Sequence, residues 1–245
     1  MLQISGLTKR YDEDAGPRHA VLERIDLAVG EHEAVALVGT SGCGKTTLLR
    51  IVSGLERASD GQLTMWGDAV SGPRRDVGVV FQEPRLMPWL TVRDNVRLAL
   101  LDLAPAAQDT AIVELLRDVG LANFAEALPR QLSGGMAQRV AIARALARKP
   151  SALLLDEPFS ALDSFTRVKL QDHLGALWEK SRFTLILVTH DIEEALTLSD
   201  RIIVMRGQPG RIYRELPVDL PRPRRRTAPE FQVMKEEVTR ALDLS

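Results

Sequence analysis

Gly39-Thr-Ser-Gly-Cys-Gly-Lys45-Thr46 is the segment that most narrows what this chain can fold into. It fits the pattern G-x-x-x-x-G-K-[ST]. It follows a short apolar run, Glu33 to Val38, and leads into helix-forming residues, Lys45 to Ser53. That order predicts a buried strand, a tight turn and a helix, which is the context the pattern requires. Glycines let a backbone wrap close to phosphate oxygens with no Cβ in the way. Successive N–H groups and the helix N-terminus then face the anion. Lys45 adds a positive charge for the β- and γ-phosphates, and the Thr46 hydroxyl can ligate Mg²⁺. By chance the four fixed positions fall together roughly once in a hundred chains of this length. A dinucleotide fingerprint starting at Gly42 fails, because Thr47 stands where its third glycine belongs.

The rest of the chain alternates strands and helices. Leu2 to Tyr11 and Val21 to Val29 read as strands around a polar turn, and Val77 to Phe81 reads as a buried strand. From about Pro84 to Arg148 helical patterns take over, at Val92 to Leu101, Asp109 to Val119 and Met136 to Arg148. Strands return at Ala152 to Asp156, Thr184 to Thr189 and Arg201 to Met205, with a helical stretch from Ser164 to Glu179. Strand–helix–strand repeats predict a parallel sheet covered by helices, interrupted by a helical insertion. Leu216 to Arg226 reads as extended or loop-like. Pro229 to Leu242 places Phe231, Met234, Val238 and Ala241 at helical spacing and reads as a short amphipathic helix.

Composition excludes several function classes. The net charge of −1 provides no global basic field for nucleic acid. The single cysteine, Cys43, allows no internal disulfide. No stretch approaches the 18 or so apolar residues a membrane helix needs, and the N-terminus has no apolar run of a secretion signal.

Two further segments carry chemistry. Leu153-Leu-Leu-Asp156-Glu157 is a strand ending in two acids. Asp156 is placed to hold Mg²⁺, and Glu157 to polarise an attacking water as general base. Leu132-Ser-Gly-Gly-Met-Ala-Gln138 is a second glycine turn opening a helix. It is either another phosphate site or a plain N-cap by Ser133.

Together these residues resemble the ATP-binding subunit of ABC transporters, over about residues 1 to 210. Gly39 to Thr46 matches the Walker A loop, Gln82 in VVFQEP the glutamine loop, and Leu132 to Gln138 the signature motif, with Met136 where glutamine is commonest. Leu153 to Asp156 matches Walker B, Ser160 to Asp163 the D-loop, and His190 in LVTHD the switch histidine. The resemblance implies an α/β fold with a P-loop NTPase (RecA-like) core, an N-terminal antiparallel β subdomain and a helical subdomain inserted at about 84–148. Residues 1–210 would form the ATPase domain and 211–245 a C-terminal extension. It implies Glu157, His190, Lys45 and Gln82 as catalytic residues. It implies nucleotide contacts by Tyr11 (on adenine), Gly39, Thr40, Ser41, Gly42, Cys43, Gly44, Lys45, Thr46, Thr47, Ser133, Gly134, Gly135, Gln138 and Asp163. Mg²⁺ would be held by Thr46, Gln82 and Asp156.

The same resemblance implies ATP as substrate and a head-to-tail homodimer, each ATP lying between the Walker A loop of one copy and the signature turn of the other. Two transmembrane permease subunits would be direct partners and an extracytoplasmic solute-binding protein an indirect one, with no nucleic acid. The chain would then lie peripherally on the cytoplasmic face of the inner membrane. Arg85 to Val92 and the tail VDLPRPRRR look like importers for nitrate, aliphatic sulfonates, taurine or bicarbonate. A soluble ABC ATPase working on nucleic acid or ribosomes is the alternative.

Other residues have plainer readings. His19, His32 and His173 read as surface residues, Trp66 and Trp178 as core or helix-face residues. Trp89 is either local core or a docking point for a membrane subunit. Arg222, Arg224, Arg225 and Arg226 read as a solvated basic run. Cys43, near a helix N-terminus and Lys45, reads as a reactive thiol.

Overall fold

The computed structural model describes residues 1–11 and 19–243. The polar turn expected after Tyr11 lies outside the described residues. The chain divides into two compact units, Met1–Arg74 with Thr184–Ser245, and Arg75–Phe183.

The first unit contains β1 (Leu2–Tyr11), β2 (His19–Val29), β3 (Ala34–Gly39), α1 (Lys45–Val52), β4 (Asp60–Met65) and β5 (Asp68–Ala69). In one antiparallel sheet β1 lies between β2 and β4, and β5 edges β4. Leu2, Ile4 and Leu7 face inward from β1, and Leu22, Ile25, Leu27 and Val29 from β2. The second unit contains β6 (Val77–Val80), α2 (Val92–Arg97), α3 (Pro105–Asp118), α4 (Gly134–Leu146), β7 (Ala152–Asp156) and α5 (Ser164–Ser181). The chain then returns to the first unit with β8 (Thr184–Val188), α6 (Ile192–Leu198), β9 (Arg201–Arg206), β10 (Arg211–Pro217) and α7 (Pro229–Asp243).

In the first unit β3 pairs parallel with both β8 and β9, and β10 adds antiparallel to β9. All six residues of β3 and all five of β8 are buried. Strands covered on both faces read as unbroken apolar runs, which is why they were legible. The boundary expected at residue 210 falls between β9 and its hydrogen-bonded neighbour β10. In the amphipathic helix α7, Phe231, Val238 and Ala241 are buried, and the helix packs on α6 and β9.

In the second unit β6 and β7 pair parallel, from Val77 opposite Ala152 to Val80 opposite Leu155. Val92, Val96, Ile112, Leu116 and Val140 form the centre of an apolar core contributed by α2, α3 and α4. Helix α3 starts at Pro105, earlier than its apolar periodicity suggests, because proline is accepted in the first turn. Trp178 is buried as expected, its indole N–H donating to the Phe183 carbonyl at 2.8 Å.

Trp66 and Trp89 differ from expectation. Trp66 sits in the tight β4–β5 turn at φ 51°, half-buried beneath the Arg74 guanidinium, rather than in a core or on a helix face. Trp89 is 72% exposed, so it is not local core. The segment carrying it is nonetheless tied down. Fully buried Asn95 accepts the Met87 N–H at 2.8 Å and donates to the carbonyls of Met87, Leu90 and Thr91 at 3.0–3.2 Å. Asn95→Ala would strand those backbone groups. It should destabilise the protein by about 1–3 kcal/mol. The expected result is a lower urea midpoint at unchanged m-value, with faster amide exchange at Met87.

Candidate functional site

In the first unit β3 delivers the chain into the glycine turn. A Cβ on Gly39 would lie 2.4 Å from the Met205 carbonyl oxygen of the neighbouring strand, so only glycine allows the loop to leave the sheet this closely. Gly44 has φ 91° and heads α1 with no side chain capping its N-terminus. The first-turn N–H groups therefore meet no side-chain acceptor at the cap position, where helices usually carry one. The Lys45 ammonium is buried and donates to the carbonyls of Gly39 at 2.8 Å and Thr40 at 3.0 Å. Among the described residues no carboxylate pairs with it. A buried cation in contact with two carbonyl oxygens and the Cys43 thiol, beside uncapped N–H groups, is a strong attractor for a multiply charged anion. These features fit the phosphates of a nucleotide.

Cys43 lies inside this turn. It is 1% exposed, with its sulfur 3.8 Å from the Lys45 ammonium. The expectation of an accessible reactive thiol is thus not met in this conformation, because the loop folds its side chain inward.

Tyr11 borders the same unit with its ring 40% exposed. Burial, then the neighbouring Glu56, push its hydroxyl pKa up, while Thr47 opposes them. Lys9 pairs with Glu56 at 2.9 Å and sits 4.6 Å from the Tyr11 ring centroid. Burial would raise the Glu56 carboxyl, but hydrogen bonds from Tyr11 and Lys9 outweigh it and hold the group below the usual range. Lys9 and Glu56, unnoticed in the sequence, thus fix the orientation of the aromatic ring.

His190 is exposed just beyond β8. Its turn is held on both sides. The buried Thr189 hydroxyl donates to Glu194 at 2.6 Å and accepts the Asp191 N–H at 3.0 Å. Asp191 caps α6 by accepting the N–H groups of Glu193 and Glu194 at 2.8 and 3.2 Å. An Asp followed by Ile-Glu-Glu is a helix-start signal that the sequence offered.

In the second unit the parallel pair β6–β7 releases Gln82 and Asp156-Glu157 from the same ends of its strands. Asp156 is buried, and Glu157 sits at φ 43°, unusual for a residue with a side chain. Such a conformation costs about 1–3 kcal/mol and persists where its surroundings enforce it. The Gln82 amide donates to the Ser160 hydroxyl at 3.2 Å and reaches Glu157 Oε2 at 3.5 Å. Ser160 in turn donates to the Glu157 carbonyl at 3.0 Å. Ser160 thus belongs to the site, and its position three residues after Glu157 is the sequence signal for it.

Two other expected site residues cap helices in this unit. Ser133 caps α4 by accepting the Met136 N–H at 3.3 Å. Asp163 caps α5 by accepting the Thr166 N–H at 3.0 Å, and the Thr166 hydroxyl and backbone hold its carboxyl below the usual pKa. Gly134 is exposed, while Gly135 is buried where a Cβ would meet the Thr166 methyl at 2.4 Å. Gln138 is held within the fold. It is 3% exposed and donates to the Phe81 carbonyl at 3.2 Å, joining α4 to the segment before Gln82.

Comparison with known proteins now decides the family. The ABC transporter family model matches residues 22–160. The chain belongs to the ABC transporter family. An aliphatic sulfonates import ATP-binding protein of Xanthomonas axonopodis pv. citri is 56% identical over 94% of this chain and 90% of its own length. One of the same name from Bacillus subtilis is 47% identical over 91% of this chain and 87% of its own. Among solved structures, a dimeric ATP-binding cassette in a post-hydrolysis state with ADP and Pi is 34% identical, with a TM-score of 0.80 over 89% of this chain and 99% of its own. As an ABC cassette with this P-loop fold, the chain binds ATP and is an ATPase.

The two glycine-loop residues separate folding from binding. Gly44→Ala forces φ 91° on alanine and drives its methyl to 2.5 Å from Leu22 Cδ2. It should lower stability by about 1–3 kcal/mol. Lys45→Ala removes a buried cation without creating a clash. It should abolish ATP binding in a fluorescent-nucleotide titration while leaving the melting temperature undiminished.

Proposed function

We propose that this cassette hydrolyses ATP to power import of a small anion, an aliphatic sulfonate or a chemical neighbour such as taurine or nitrate. The observation that carries the proposal is the 56% identity, over 94% of the chain, to a protein named for aliphatic sulfonates import. Two copies would form a homodimer, each Ser133 turn completing the phosphate site begun by the other copy's Gly39–Thr46 loop. Two transmembrane permease subunits would bind it at the cytoplasmic face of the membrane, with exposed Trp89 a contact candidate. No helix of the described residues is long and apolar enough to cross a membrane itself.

The residues have separable roles. Lys45 and the N–H groups of the loop hold the β- and γ-phosphates. Tyr11 offers its ring to adenine. Glu157 accepts a proton from the attacking water; Gln82 reaches that carboxylate, and Ser160 holds Gln82 and the Glu157 carbonyl. His190 contacts the γ-phosphate. Thr46, Gln82 and Asp156 provide the hard oxygen donors that suit Mg²⁺, whose charge would offset that of the phosphates.

Glu157→Gln should retain ATP affinity but lose at least about a hundredfold in turnover, the usual contribution of a general base. Wild-type turnover by that variant would remove Glu157 from the role. For the solute, a strain lacking the gene should stop growing on alkanesulfonates as sole sulfur source while still growing on sulfate. Unimpaired growth on alkanesulfonates would overturn the sulfonate assignment and leave the ATPase reading intact.

A further inference from the structure

Within the Arg222–Arg226 run Arg225 is exposed, as expected of a solvated stretch, but Arg222 and Arg224 are not solvated. Arg224 donates to the carbonyls of Leu196 and Ser199, and to those of Val218 and Leu220 at 3.1 Å each. Arg222 donates to the Leu198 carbonyl at 3.0 Å and pairs with Asp200 at 2.9 Å. Helix α6 ends at Leu198, so the two guanidiniums meet the negative pole of that helix and its unpaired carbonyls. Burial lowers the Arg224 pKa to about 10, which leaves it cationic at neutral pH.

The same tail holds the other end of α6. Lys235 on α7 pairs at 2.6 Å with Glu193 in the first turn of α6. Buried Phe231 and Val238 anchor α7 itself. Asp191, which caps that first turn, directly follows His190. A seven-residue helix is too short to hold its own geometry. Its ends are therefore fixed by whatever binds them, and here the tail binds both.

We propose that the C-terminal segment from Val218 to α7 is a positioning element for His190, acting through α6. Arg224 and Lys235 are its positioning residues, and neither touches the nucleotide. The proposal rests on the reading that His190 contacts the γ-phosphate.

The test is steady-state ATPase kinetics with equilibrium binding of a fluorescent ATP analogue. Arg224→Gln should lower kcat about ten- to a hundredfold, the scale of a small misplacement of a catalytic group. It should leave KM and nucleotide affinity within about twofold. In a His190→Ala background it should cause no further loss, since residues acting through one group are not additive. Arg224→Lys should recover part of the rate. Lys235→Met, at a partly exposed site, should give a smaller loss of the same kind, and decides alone if Arg224→Gln does not fold. Wild-type kcat in the tail variants, or a loss that multiplies with that of His190→Ala, would overturn the positioning role. Wild-type turnover by His190→Ala alone would instead overturn the reading of His190, and the positioning role with it.

Discussion

The close approach of backbone to backbone around the glycine loop is the constraint on which the first unit is built. Gly39 abuts the Met205 carbonyl, Gly44 abuts Leu22, and a Cβ on Gly210 would lie 1.9 Å from the Cys43 carbonyl oxygen. Gly210 is itself locked to β2, donating to the Val21 carbonyl at 2.8 Å and accepting the Glu23 N–H at 3.0 Å. Three glycines thus let segments distant in sequence clasp one loop. With its outer side gripped, the loop turns Cys43 and Lys45 inward. The free energy of a nucleotide can then go into binding rather than into ordering the loop.

The second unit meets a different constraint. Its acids must stand at the end of a buried parallel pair, where two strands present Gln82 and Glu157 side by side. Glu157 carries a φ of 43° where the chain leaves the strand, a conformation that costs free energy. Ser160 offsets part of it by bonding the Glu157 carbonyl and the Gln82 amide at once.

Much of this was legible in the sequence, and the limits follow a physical pattern. Buried strands such as β3 and β8 showed as apolar runs, and the glycine loop as a fixed spacing, because both depend on near neighbours in the chain. Strands β4 and β10 were missed since each is largely exposed and lacks an apolar run. The structural contacts of Asn95, Gln138 and Arg224 were not legible for another reason. Each binds backbone carbonyls, and a carbonyl is present at every residue, so no pattern of side chains announces the pairing. Arginines in a row resemble a solvated surface until the chain fold brings a helix end to them.

The helix caps sort the site residues by what they can offer an anion. The Ser133 hydroxyl accepts the Met136 N–H and keeps its own proton free to donate, since a hydroxyl has one donor and two acceptor sites. Asp163 is the opposite case. Its carboxylate accepts the Thr166 N–H, and the Thr166 hydroxyl and backbone hold its pKa below the usual range. Its contribution is the capping of α5, whose Thr166 methyl defines the space that only glycine can fill at 135. The signature turn and the D-loop are in this sense one packed corner, with Gly135 against Thr166 and Gly134 near Leu162.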